Sequence, residues 1–193
     1  MPRPCTAHRE PFQRIYDEQL WGGGSGHGSR RTTTEPYRQL LQRLLTGNQV
    51  SRVVDLGCGD WQFSRLIDWE GIEYLGVDVV PAVIEANRQA YGREKIRFEY
   101  ADVRTLRPPD ADLYILKDVL QHWPDHDIKA FLSRMAGRPM LVTNSTPTAD
   151  HIDLDMPGEF RPLDLRRPPF NCAAQELLRY ESIPGDEKLA LLT

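Results

Sequence analysis

The residues best suited to chemistry gather at a short glycine turn and at an acid downstream of it. Asp55-Leu56-Gly57-Cys58-Gly59-Asp60 closes an apolar run, and its two glycines allow a tight turn and close approach of a ligand to bare backbone. Asp78 ends the next apolar run, 21 residues after Gly57, where a carboxylate can accept hydrogen bonds from both hydroxyls of a ribose. That pairing suits either a nicotinamide cofactor or S-adenosylmethionine. The third glycine of a dinucleotide fingerprint would fall at position 62, which is Gln62, so the nicotinamide reading is disfavoured. No Gly-Lys-Ser/Thr follows the turn, which excludes a P-loop. A purely structural turn with no ligand is the plainer alternative that these few residues leave open.

A second group of polar residues lies at His122, Asp125, His126 and Asp127. A metal is the obvious thought, but the spacing matches no recognised ligand set. Asp125 reads better as a helix N-cap and Asp127 as a first-turn acid, so no metal is expected. Two segments lack periodicity. Trp21–Ser29, WGGGSGHGS, has five glycines in nine residues, yet it sits between helix-like stretches of one domain, where a flexible linker has little purpose. Ser145–Phe170 carries five prolines, and a loop of that length in a compact domain is either functional or disordered. Its composition favours an ordered lid.

Alternating elements must position these residues. Strand-like runs are Arg52–Leu56, Glu73–Val77, Ile96–Tyr100, Asp112–Leu116 and Pro139–Thr143. Arg179–Ile183 and Lys188–Leu192 close the chain around a hairpin turn at Pro184-Gly185-Asp186. Helical patterns cover Glu35–Thr46, with Thr34 as cap, then Gln62–Trp69, Pro81–Tyr91, Asp125–Ala136 and Ala173–Leu178. Phe12, Ile15 and Tyr16 mark one face of an N-terminal helix over the cleft. Strands alternating with helices imply an α/β doubly wound, mostly parallel seven-stranded sheet with an antiparallel final strand. In such sheets ligands bind beyond the carboxyl ends of the strands.

With the elements in place, the chain resembles the class I S-adenosylmethionine-dependent methyltransferases, which share a Rossmann-like fold. The likeness covers residues 34–193 and rests on VVDLGCGD (Val53–Asp60), YLGVDVV (Tyr74–Val80), ADV (Ala101–Val103) and DLYILKDVLQHW (Asp112–Trp123). Trp21-Gly22 with SGHGS (Ser25–Ser29) and RPLDLRRPPFN (Arg161–Asn171) is similar to a small group within that family. The resemblance implies that Asp55 orients the turn near the methionine amine. Gly57 and Gly59 would lie under the ligand; Cys58 between them departs from the small residues often found there, and as a free thiol it can pack as a small hydrophobe beside the cofactor. Asp78 would hold the ribose hydroxyls, with Val79 beside it, and Asp102 and Val103 the adenine. Lys117 and Asp118 would border the methionine and the reacting centre.

The remaining roles follow from position. His122 comes after strand four, where the cleft opens, and is the first candidate for a general base. Asp118 is the alternative, and packing beside Trp123 is the plainer role for His122. Trp21 would line the pocket or cover the methionine end, and Ser25 and Ser29 with the glycine amides would bind the methionine carboxylate. Asn144, Arg161 and Asp164 are the candidate acceptor contacts. A magnesium site built from Asn144 and Asp118 is discounted, since no acid adjoins Asn144. The expected organisation is a cap over residues 1–33 and a cofactor-binding domain over 34–193.

Composition narrows the partners. The chain has 193 residues and a net charge of −4, with no basic stripe for nucleic acid. Three scattered cysteines and no CxxC fit a reducing compartment, and no secretory signal or spanning segment is seen, so a cytoplasmic location is expected. The function expected is methyl transfer from S-adenosylmethionine to a small molecule at oxygen. A peptide, protein or RNA acceptor, an inactive binding module and a nicotinamide oxidoreductase are the alternatives.

Overall fold

The computed structural model describes residues 6–193, with side chains from Arg9 onward. Met1–Cys5, and with them one cysteine and the start of the expected cap, lie outside the described residues. The strands are β1 (Arg52–Leu56), β2 (Glu73–Asp78), β3 (Ile96–Tyr100), β4 (Leu113–Lys117), β5 (Met140–Ser145), β6 (Gln175–Ile183) and β7 (Asp186–Leu192). The α-helices are α1 (Thr6–Asp17), α2 (Glu35–Gly47), α3 (Pro81–Tyr91) and α4 (Asp125–Arg134). All seven strands join one sheet in the order β3-β2-β1-β4-β5-β7-β6. β1 pairs in parallel with both β2 and β4, so the chain winds away from it in two directions. β7 inserts antiparallel between β5 and β6, and it alone opposes the sheet direction. The fold is thus the doubly wound α/β sheet that the sequence predicts.

Alternation along the strands divides the core between the two faces. Val53, Ile115 and Leu141 share one buried cluster with Tyr37, Leu41 and Leu45 of α2. Val54, Leu116 and Val142 share the other with Ile128 and Phe131 of α4. Burial on both faces explains why these strands read as continuous apolar runs. No helix among the described residues is long and apolar enough to cross a membrane.

Two expected helices are absent. Gln62–Trp69 is reduced to one 3-10 turn at Ser64–Leu66, because Trp61 turns the chain at φ +59° and the Trp69 indole donates to the Ser64 carbonyl. Ala173–Leu178 is not helical: Gln175 onward forms β6, paired with β7. A six-residue helix has too few bonds to offset nucleation, whereas the adjoining hairpin supplies partners at once. The cap of α2 also differs. The Thr34 hydroxyl donates back to the Arg30 carbonyl and leaves the helix start uncapped. Asp125 is the first residue of α4 rather than its cap, and its N–H donates to the Asp153 carboxylate at 2.7 Å.

Candidate functional site

A cavity of about 630 Å³ opens beyond the carboxyl ends of β1, β2 and β4. Its floor is the glycine turn and its roof is α1 with the Trp21–Ser29 segment. At the turn, Gly57 has φ +87° and Gly59 φ +55°, conformations that glycine adopts without strain. A side chain on Gly57 would run into Val119, so bare backbone is required there. The Gly59 N–H and the Val80 N–H each donate to one oxygen of Asp78, both at 3.0 Å. Asp78 lines the cavity. Burial raises its carboxyl above the ordinary range, while those amides oppose the rise. Val79, Cys58 and Val103 also line the cavity.

Asp55 lies beneath the turn. It accepts from the Tyr74 hydroxyl at 2.6 Å and from Ser64 at 3.4 Å, and burial pushes it up to about 6. It contacts the turn from below and does not reach the cavity wall.

The glycine segment is an ordered roof. Ser25 Oγ accepts from the Asp60 N–H at 2.9 Å and meets the Tyr16 hydroxyl at 2.7 Å, so it sits directly on the turn. The Gly28 carbonyl accepts from Lys117 Nζ at 2.7 Å, and a side chain on Gly28 would strike Asp118 at 2.7 Å. Trp21 and Ser29 face the cavity as well. The glycines therefore allow this segment to press against the strand ends.

Asp118 sits between two buried ammonium groups. Lys117 donates to it at 2.5 Å and Lys188, from β7, at 2.9 Å. Burial acts to raise the Asp118 carboxyl, but the two lysines outweigh it and hold it below the usual range. Burial lowers the Lys117 ammonium. Asp118 is thus held as a carboxylate and has little affinity for a proton, which weakens it as a base.

His122 forms the opposite wall with Phe12, Trp21 and Phe160. The Trp21 and His122 rings lie 4.9 Å apart, and Phe160 stands 5.8 Å away. The ring's Nδ1 is 2.8 Å from the Glu159 carbonyl. Burial lowers its pKa to about 4, so it is neutral at ordinary pH. Lining aromatics exclude water, while Leu20 and Phe160 remain half exposed at the mouth.

Four expected contacts lie elsewhere. The Asp102 carboxylate is paired with Arg104 at 2.9 Å, which in turn binds Asp127. Asn144 is buried in β5 opposite Leu189. Asp164 pairs with Arg166 at 2.9 Å, and Arg161 with Asp125 at 2.6 Å. Each of these charged groups is paired within the protein, and none of the four residues is part of the cavity wall. Among the described residues no group of three or more His, Cys, Asp or Glu converges as a metal site. Sequence reasoning missed Lys188, Gln121 and Phe160. Lys188 left one signal, a lone cation heading an apolar strand; the other two left none.

Comparison with known proteins agrees with this geometry. A family model described as a methyltransferase domain matches residues 53–138. The chain is 37% identical over 107 residues to a trans-aconitate 2-methyltransferase of Methylobacterium nodulans, covering 53% of this chain and 39% of that protein. It is 31% identical over 122 residues to a 27-O-demethylrifamycin SV methyltransferase of Amycolatopsis mediterranei, covering 56% of this chain and 45% of that one. The chain thus spans less than half the length of these relatives. Among solved structures, a 1,6-didemethyltoxoflavin-N1-methyltransferase of Burkholderia thailandensis superposes with TM-score 0.70 at 16% identity, covering 100% of this chain and 90% of that one. A magnesium protoporphyrin IX methyltransferase of Synechocystis, with S-adenosylhomocysteine bound, superposes with TM-score 0.67 at 18% identity over 97% of both chains.

Proposed function

Because residues 53–138 form a methyltransferase domain of the class I, S-adenosylmethionine-dependent family, we propose that the chain transfers a methyl group from S-adenosylmethionine to a small molecule, at oxygen. The observation that carries the reading is one cavity lined both by the glycine turn with Asp78 and by Trp21, His122 and Phe160. A volume of about 630 Å³ suits a cofactor with a modest acceptor, within the usual 300–1,000 Å³ of ligand pockets. The names of two relatives, one acting on trans-aconitate and one at a rifamycin oxygen, support a small acceptor.

The residues fit the cofactor. Gly57 and Gly59 have no side chain to obstruct a ligand, and Asp78 would accept from the ribose hydroxyls. When bound, S-adenosylmethionine supplies a methyl group already activated by a positive sulfonium. The chain's task is then to align the acceptor, exclude water and manage a proton. Trp21, Phe12 and Phe160 would enclose the acceptor. Between the two base candidates, His122 is favoured over Asp118, because both Asp118 oxygens already accept from lysine ammonium groups whereas the His122 ring is neutral at ordinary pH.

Isothermal titration and thermal shift with S-adenosylhomocysteine test the reading, with NAD as control. S-adenosylhomocysteine should bind and NAD should not. Asp78→Asn should weaken it about tenfold or more, since hydrogen bonds to a charged group are worth about 1.5–3 kcal/mol each. Binding of NAD in preference, or unchanged affinity in the variant, would overturn the cofactor or ribose assignment respectively.

A further inference from the structure

We propose that Arg161 is a positioning residue that locks His122 in the tautomer carrying its proton on Nδ1, with the Nε2 lone pair held only by the long Gln121 contact, which a proton of the acceptor displaces. Two partners of opposite character set the tautomer. On one side the Glu159 carbonyl, 2.8 Å from Nδ1, can only accept, so Nδ1 carries the hydrogen. On the other, the Gln121 amide nitrogen lies 3.5 Å from Nε2. Gln121 is itself oriented, because its oxygen accepts the Ser145 N–H at 2.8 Å. Its nitrogen must therefore face the ring, and a nitrogen that can only donate requires a lone pair on Nε2. Both ends of the network demand the same tautomer.

Glu159 is held in place by its neighbours. The Gly158 N–H donates to the His122 carbonyl and the Arg161 N–H to the Gln121 carbonyl, both at 3.0 Å, clasping the loop to the segment it serves. The Arg161 guanidinium anchors the clasp, reaching the Trp123 carbonyl at 2.8 Å and Asp125 at 2.6 Å. Asp125 is also bound by His151 at 2.8 Å, so the loop is tied to the start of α4 from two points. The charged groups acting on the ring are Asp118, Lys188 and Arg161. Arg161 is buried and lies outside the cavity wall, so it touches no ligand and acts on the ring by its charge and through the Glu159 carbonyl. The catalytic use of this lock rests on the methyl-transfer reading; the lock itself does not.

Nitrogen-15 NMR of the imidazoles in the free chain reads the tautomer directly, with the His122 signals assigned from His122→Gln. The unmodified chain should show one tautomer, protonated at Nδ1, and a titration midpoint near 4. In Arg161→Met the ring should become a mixture of tautomers, while Arg161→Lys should restore the single tautomer. S-adenosylhomocysteine affinity should be unchanged in both, and methyl transfer in Arg161→Met should slow by roughly tenfold or more. If Arg161→Met does not fold, Asp125→Ala removes the side-chain partner of the guanidinium and should give the same mixture. A single Nδ1–H tautomer in a folded variant overturns the proposal, whatever happens to stability. Failure of the unmodified chain to bind S-adenosylhomocysteine would instead sink the methyl-transfer reading and leave the tautomer result standing.

Discussion

Two buried titratable residues act on stability in opposite directions. Asp55 titrates at about 6 in the fold against 3.8 in an unfolded chain, so between those values the folded state binds the extra proton. Its contribution is therefore full below pH 4 and lost as pH rises through 6. His122 titrates at about 4 against 6.5, so the unfolded chain binds more protons and stability is lost as pH falls from 6.5 to 4. The two slopes offset one another in the unmodified chain. Asp55→Asn should expose the histidine slope. From pH 4 to pH 8 its stability relative to the unmodified chain should improve by about 3 kcal/mol, measured by denaturant unfolding. A relative stability that does not change with pH would show that burial has not raised the Asp55 carboxyl.

At the scale of elements, loops complete what helices and strands begin. The first turn of α4 has no cap of its own, since Pro124 precedes it, and Asp153 reaches across from the long loop to accept the Asp125 N–H. Asp153→Ala should lower stability by about 1 kcal/mol, the usual value of a lost cap, seen as a drop in Tm. An unchanged Tm would mean that solvent replaces that carboxylate. On the roof, Ser25 joins α1 to the glycine turn through Tyr16 and Asp60. β6 shows the reverse case. As an edge strand it is guarded by charge, with Arg179 bound to Glu176 and Glu187.

At the scale of the whole molecule, the cavity is made by segments far apart in the chain. Trp21 and Ser25 come from the start, His122 from after β4, Phe160 from the long loop and Lys188 from β7. A ligand filling the cavity should therefore quieten both coverings together. Hydrogen exchange at residues 21–29 and at 158–161 should slow in parallel when S-adenosylhomocysteine is added. Slowing at the first segment alone would mean that the long loop does not respond to the ligand.

The sheet was legible before any coordinates, because runs such as Val53-Val54 and Ile115-Leu116 carry burial on both faces and the glycine turn with Asp78 marks the crevice. Those are local signals: chain conformation and side-chain type are properties of neighbouring residues. The partners of charged groups are not. Arg161 and Asp164 looked like acceptor contacts but are satisfied by Asp125 and Arg166, and Asp102 is taken up by Arg104. Lys188 and Gln121 became part of the site only because β7 inserts beside β5 and a loop closes over the histidine. The sequence by itself determined the fold and the crevice beyond the glycine turn. Tertiary structure alone decided which polar groups face that crevice, because a buried charge or hydrogen-bonding group turns to whichever partner the fold brings within reach.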